Sequence, residues 1–343
     1  MKYINKYSKY IIVFIIILAF LILYYLYFNK NKSIRCLVFF TSNSMKNEFD
    51  KHNINYRYID NDFEISKNNK SYKLCEINPD ESKKLSNDKY KTNLLLSKNS
   101  INVCNFYLWD NRNNDEINVK NINSKLKFPV VIKYLHGQKG EDVFINIYTN
   151  KEIINKIEYL KNKNKNKIII EQQEFGDKYR IFVSFNKVIY VQKHNIPQII
   201  GDGKTTIYDL IKEYPSHELQ KQNNIKLYPI KNIDKNLIKN QGYNLHDVLE
   251  ENKKLYATSI INYHNGSIIE DIDMNKVHQS NIVMFKNINN IIGLNISGID
   301  FITNNISMPN NGKVIEVNAG PGYDLIKHKE IINKTLLDSL FNN

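Results

Sequence analysis

The sequence predicts an α+β protein with antiparallel and mixed sheets, carried on one N-terminal membrane-crossing helix. Three observations lead there. Period-two apolar segments come in pairs joined by short loops, residues 129–135 with 143–148 and 180–185 with 188–193, a pattern of hairpins rather than of a doubly wound parallel sheet. Between them lie stretches with one apolar face at helical spacing. Ahead of them, Tyr10 to Phe28 is a run of 19 uncharged, almost wholly apolar residues.

At about 1.5 Å rise per residue that run would span roughly 28 Å, close to the ~30 Å hydrocarbon core of a bilayer. Tyr10 at one end and Tyr24, Tyr25 and Tyr27 at the other suit the two interfaces. Lysines flank both sides, so orientation stays undecided, and no small-x-small cleavage pattern precedes Asn29. The run therefore reads as an uncleaved single-pass anchor, with residues 1–9 as a short flank.

Composition removes several classes. At 42% apolar and 24% charged, with 12 Gly, 7 Pro and 3 Cys, the chain is not collagen-like, disulfide-scaffolded or fully disordered. Cys36, Cys75 and Cys104 are widely spaced and suggest neither a disulfide framework nor zinc, which favours a reducing compartment. The charge of +13 comes from lysines scattered along the chain, and the dense run Lys161 to Lys167 reads as a solvated loop. No nucleic-acid partner is expected, since no platform of interleaved aromatic and basic residues appears.

Residues 29–86 read as a small α/β subdomain with a strand at Ile34 to Phe40, a helix at Met45 to His52 and strands at Tyr56 to Ile59 and Tyr72 to Ile77. The main body, residues 87–343, opens with a helix at Asp88 to Leu96 and a short strand at Ile101 to Val103. Pro129 to Leu135, a glycine-bearing loop from His136 to Asp142, and Val143 to Tyr148 form a hairpin with a mobile tip. Thr149 and Glu152 have capping-box spacing ahead of Ile153, Ile154, Ile157 and Leu160, which share a helical face. Ile168 to Glu171 is a strand, and a turn at Gly201 to Thr206 leads into a helix at Ile207 to Glu213.

The chemistry concentrates near the C-terminus. Gly298 to Ile302 and Val314 to Asn318 are two buried strand patterns, and residues two apart on a strand share a face. Glu316 and Asn318 thus project together, and Asp300 joins them if the strands pair. Three oxygen donors suit Mg²⁺, with Mn²⁺ as a substitute. Lys133, read as an edge-strand lysine, and the tip residues Gly137, Lys139 and Gly140 supply a cation and a flexible wrapper for phosphate. No P-loop exists at Gly203-Lys204-Thr205, because position 198 is Gln198.

In order, these pieces resemble the ATP-grasp ligases, in particular the group of cyanophycin synthetase, bifunctional glutathione synthases and RimK-type ligases. The resemblance runs from about Asn87 to His328. It rests on Asp88-Lys89 before a helix, Phe128 to Lys133, Glu171 to Arg180, Ile200 to Ile207, Gln241-Gly242, Asn262 to Gly266, Val277-His278, Gly298 to Asp300 and Ile315 to Gly322. It implies an ATP-grasp fold with a lid over about residues 125–172. It also implies ATP held by Lys89 and Lys133, with Glu171 and the backbone of Gln172, Gln173 and Glu174 at the adenine. Mg²⁺ would sit on Asp300, Glu316 and Asn318, while Arg180, Asn262 and either Lys193 or His194 would lie beside the reacting groups.

The pattern has departures. The ribose-binding acid of the family falls at position 178, where Lys178 stands with Asp177 one residue earlier, and Thr258 and Ser267 replace a basic residue and a glycine. The implied function is an ATP-dependent carboxylate-amine ligase acting on an amino-acid or peptide carboxylate and an amine, from a membrane-held cytosolic domain. A nucleotide-binding module without ligase activity is the alternative.

Overall fold

The computed structural model describes residues 38–59, 62–137, 142–214, 228–262, 265–309, 311–321 and 329–342. The anchor proposed at 10–28, most of the strand expected at Ile34 to Phe40, the tip residues Lys139 and Gly140, and His264 lie outside them. Among the described residues no helix is long and apolar enough to cross a membrane. The chain divides into two compact units, the first ending at Glu76 and the second beginning at Ile77.

In the first unit a 3-10 turn, Val38–Thr41, precedes α1, Asn43–Lys51, whose N-terminus is capped by the Ser42 hydroxyl accepting from Met45 N–H. Strands β1 (Asn55–Ile59), β2 (Asp62–Lys67) and β3 (Lys70–Lys73) pair antiparallel in chain order. Phe63 and Ile65 of β2 alternate inward, and Phe63 packs against Phe49 of α1 with ring centroids 6.2 Å apart. The sequence reading overlooked β2 within its polar surroundings. Cys75 is disulfide-bonded, whereas Cys104 is a buried free thiol; the odd, wide cysteine spacing had pointed away from any bridge.

The second unit contains α2 (Asp80–Ser86), α3 (Lys89–Lys98), β4 (Phe106–Leu108), α4 (Asp115–Lys125), β5 (Val130–Tyr134), β6 (Val143–Ile147), α5 (Asn150–Asn162), β7 (Ile168–Gln172), β8 (Asp177–Ser184), β9 (Lys187–Asn195) and β10 (Gln198–Ile200). It continues with α6 (Ile207–Glu213), α7 (Lys235–Asn240), β11 (Lys254–Tyr256), β12 (Ile268–Ile272), α8 (Gln279–Ile292), β13 (Ile296–Thr303), β14 (Gly312–Asn318) and α9 (Lys329–Phe341). A buried Asn78 ties its start to its end. The amide donates to Ile296 O at 2.7 Å and Ala319 O at 2.8 Å, and its oxygen accepts from Asn295 and Ile296 N–H.

Three sheets form it: β4-β7-β5-β6, β12-β9-β8-β13-β14, and the pair β10-β11. All pairings within them are antiparallel, and the bridge Val103↔Val314 is the one parallel contact among the described residues. The four-stranded sheet closes on α4 and α5 through Ile122, Ile132, Ile153, Ile157, Leu160 and Ile170. The Thr149–Glu152 capping box starts α5 as its spacing predicted. In the five-stranded sheet, Tyr179, Ile181, Val191, Ile299, Phe301 and Val317 pack against Phe285, Ile288 and Ile292 of α8. Each such fully buried side chain contributes about 1.5–3 kcal/mol.

Candidate active site

With one parity of the five-stranded sheet committed to the α8 core, the other parity carries the chemistry. The register aligns Asp271 with Gln192, Gln192 with Arg180, Arg180 with Asp300, and Asp300 with Glu316. One polar rung therefore crosses all five strands on one face. A register shift after Asp300 sets Val314 opposite Phe301. This bulge lets Val314 and Val317 both face the core while Glu316 stays on the site face.

Asp300 is the centre of the rung. It is 3% exposed, with Arg180 Nε at 2.7 Å from Oδ1 and Lys178 Nζ at 3.1 Å from Oδ2. Burial would raise its pKa, but Arg180 and Lys178 outweigh burial and hold the carboxyl at about 2. Oδ1 accepts no aligned hydrogen bond despite Arg180. A buried acceptor of that kind, beside Glu316 and one rung from Asn318, fits a hard divalent cation. Among the described residues no group of three or more His, Cys, Asp or Glu is gathered for a metal, so the set here is two carboxylates and an amide.

Gly298 pairs with Asn318 and Phe182 in the next rung. A Cβ there would meet Pro321 Cβ at 2.7 Å and Arg180 Nη1 at 2.8 Å, so the glycine makes room for the guanidinium. Gly298→Ala is expected to displace Arg180 and cut turnover at least tenfold with little change in nucleotide affinity; steady-state kinetics beside nucleotide titration check it.

The two candidates of β9 part company. His194 pairs with Lys178 and shares the Arg180 face, whereas Lys193 alternates to the other face and ion-pairs with Asp177 at 2.7 Å. Burial, with Lys178 and Arg180 adding to it, pushes His194 down to about 3, so the ring is neutral near pH 7. Asp177 has the parity of Lys193, while Lys178, which the sequence reading treated only as a departure, belongs to the site. Asn262 O accepts from Asn265 and Ser267 N–H, and its neighbour Ile261 O accepts from Lys178 Nζ at 3.4 Å.

The other sheet contributes Lys133. It stands on β5, an interior strand, and not on an edge as the sequence suggested. Only 8% exposed, it ion-pairs with Glu171 Oε2 at 2.5 Å, and Asn93 donates to Glu171 Oε1 at 3.0 Å. Burial opposes its charge, but Glu171 more than offsets that and its pKa lies above the usual lysine value. Lys133 is thus both a cation and part of the fold. Lys89, in the first turn of α3, donates to Gly137 O at 2.8 Å and reaches Glu316 Oε1 at 3.1 Å, joining the base of the hairpin tip to the rung.

In the segment after β7, Gln172 N–H donates to Asn105 O and Gln173 N–H to Pro129 O, while the Glu174 carboxylate pairs with Lys313 at 2.6 Å. Gly176, at φ +144°, turns the chain into β8 where a Cβ would sit 2.9 Å from the Thr303 backbone. Gln192 and Asp271 escaped the sequence reading. Their signal was there, since Gln192 lies two residues before His194 in an apolar strand.

Residues 86–195 match the model of the RimK-like ATP-grasp domain. The cyanophycin synthetase of Synechocystis sp. is 32% identical over 209 residues, covering 59% of this chain and 24% of that protein. The glutathione biosynthesis bifunctional protein GshAB of Clostridium perfringens is 29% identical over 188 residues, 51% of this chain and 24% of its own length. The chain thus spans about a quarter of these curated relatives. A bifunctional glutathione synthetase from Pasteurella multocida superposes with TM-score 0.59 at 17% identity, covering 87% of this chain and 43% of that one. A D-alanine–D-alanine ligase from Bacillus anthracis gives TM-score 0.50 at 14% identity, over 77% and 69%. Fold and site define an ATP-grasp protein. Within that class the chain is a relative of the ATP-grasp ligases.

Proposed function

We propose that this chain is an ATP-dependent carboxylate-amine ligase working with Mg²⁺. The observation that carries the reading is the direct pairing of Arg180, Asp300 and Glu316 across three strands, with Lys89 linking that rung to the hairpin base. Phosphoryl transfer needs such a concentration of fixed charge, because the triphosphate and the acid repel each other. Asp300, Glu316 and Asn318 would hold Mg²⁺, which neutralises the migrating phosphoryl charge.

Lys89 and Lys133 bind the phosphates, and Arg180 orients the acid beside them. The acid's carboxylate oxygen attacks the γ-phosphorus, ADP leaves, and the acylphosphate is kept from water under the hairpin. The amine then attacks the acyl carbon and phosphate departs with the C–O electron pair, leaving an amide. ATP, Mg²⁺, hydroxylamine and a panel of amino acids test this: hydroxamate with one acid supports it, and ATP binding with no hydroxamate from any acid selects a nucleotide-binding module instead.

Residues 10–28 form a membrane anchor in this reading, with catalysis on the cytosolic side. Deleting residues 1–30 is expected to give a soluble protein that retains most of its activity, because every chemical motif begins at or after Asp88. Assay of truncated and full-length protein on one soluble substrate decides it. A truncated protein that binds ATP but no longer ligates would make the apolar segment part of substrate presentation.

A further inference from the structure

Resting on the ligase reading, the next inference concerns its acid substrate. We propose that Lys178 and His194 form a subsite for a second carboxylate of that substrate, separate from the one that is activated, so that the enzyme takes a short dicarboxylic acid or an acidic amino acid. Lys178 and His194 are direct cross-strand partners. Their rung continues into Ile302 on one side and Ile269 on the other, both buried. Two polar heads thus sit between two apolar walls, one rung from Arg180.

Two observations point to a missing ligand. His194 is 7% exposed, and its buried Nε2 has no hydrogen-bond partner, a state that burial makes costly until something bonds to it. Lys178 and Arg180 converge on one carboxylate, at 3.1 and 2.7 Å, and the other printed contact of Lys178 is the Ile261 carbonyl at 3.4 Å. Two fixed cations against Asp300 leave a positive excess, which a divalent cation on Asp300 would enlarge.

A monoanion with planar oxygens matches one ammonium and one imidazole between isoleucines. Residues two apart along a strand are about 6.6–7 Å apart, so a carboxylate on Lys178 and another beside Arg180 suit the two ends of a four- or five-carbon diacid.

Titration calorimetry of the protein with Mg²⁺ and a non-hydrolysable ATP analogue, using glutarate and butyrate as matched probes, tests the subsite without any turnover. Glutarate is expected to bind at least tenfold more tightly. Lys178→Met and His194→Phe should each bring the two affinities within about threefold, while Lys178→Arg should keep the preference; thermal melts show which variants are folded, and Lys178→Met suffices if His194→Phe is not. Equal or absent binding of the two probes to wild type, or a preference that survives Lys178→Met, overturns the proposal. A glutarate preference without hydroxamate from any acid keeps the subsite and sinks the ligase reading. Hydroxamate formed equally from glutarate and butyrate does the reverse.

Discussion

Replacing Lys133 with alanine will remove nucleotide binding and also destabilise the protein, by about 3–5 kcal/mol, because it strands the Glu171 carboxylate in the interior. Lys133 is 8% exposed and Glu171 2% exposed, so neither charge has water to fall back on. A strand-edge lysine would have lost charge and little else. The two effects separate in a double variant. Lys133→Met with Glu171→Leu removes both charges together, and replacing a buried pair by apolar groups of similar volume is often neutral for stability. Thermal melts should therefore show the double variant recovering much of the loss, less what Asn93 forfeits when its Glu171 partner goes. Nucleotide titration should find ATP binding still absent. A double variant that binds ATP as wild type does would take Lys133 out of the phosphate site.

Asp300→Ala should be the most damaging change on the other sheet. It leaves Arg180 and Lys178 side by side without the carboxylate that both address, a loss of about 3–5 kcal/mol by the same reasoning. It also removes the buried acceptor proposed to hold the metal. Mn²⁺ titration followed by electron paramagnetic resonance is expected to show affinity falling at least a hundredfold, with turnover lost. Glu316→Gln makes the contrast. Its side chain is 28% exposed against 5% for Asp300, so it should lose metal affinity while unfolding in urea near the wild-type midpoint. Undiminished Mn²⁺ binding by folded Asp300→Ala would end the metal assignment.

Much of the site could be read from residue order alone, because β-strands have a strict period of two and apolar neighbours say which parity is buried. Glu316 and Asn318 had to share a face, and Asp300 within Gly298 to Ile302 had to join them once those strands paired. The same argument, applied to residues 190–194, would have found Gln192. The capping box at Thr149 and the helix at Ile207–Glu213 were equally local, since a cap is decided by residues three apart.

What the sequence by itself determined is the set of hairpins, the parity of each strand and the order of the charged residues along the chain. Only the tertiary structure decided which strands lie next to which. That set β5 inside its sheet and turned Lys133 from an edge residue into half of a buried ion pair. It brought β8 between β9 and β13, so that Lys178 meets Asp300 on one side and His194 on the other. Strand neighbours more than a hundred residues apart are chosen by the fit of whole faces against α8 and the lid helices, and no local spacing records that choice.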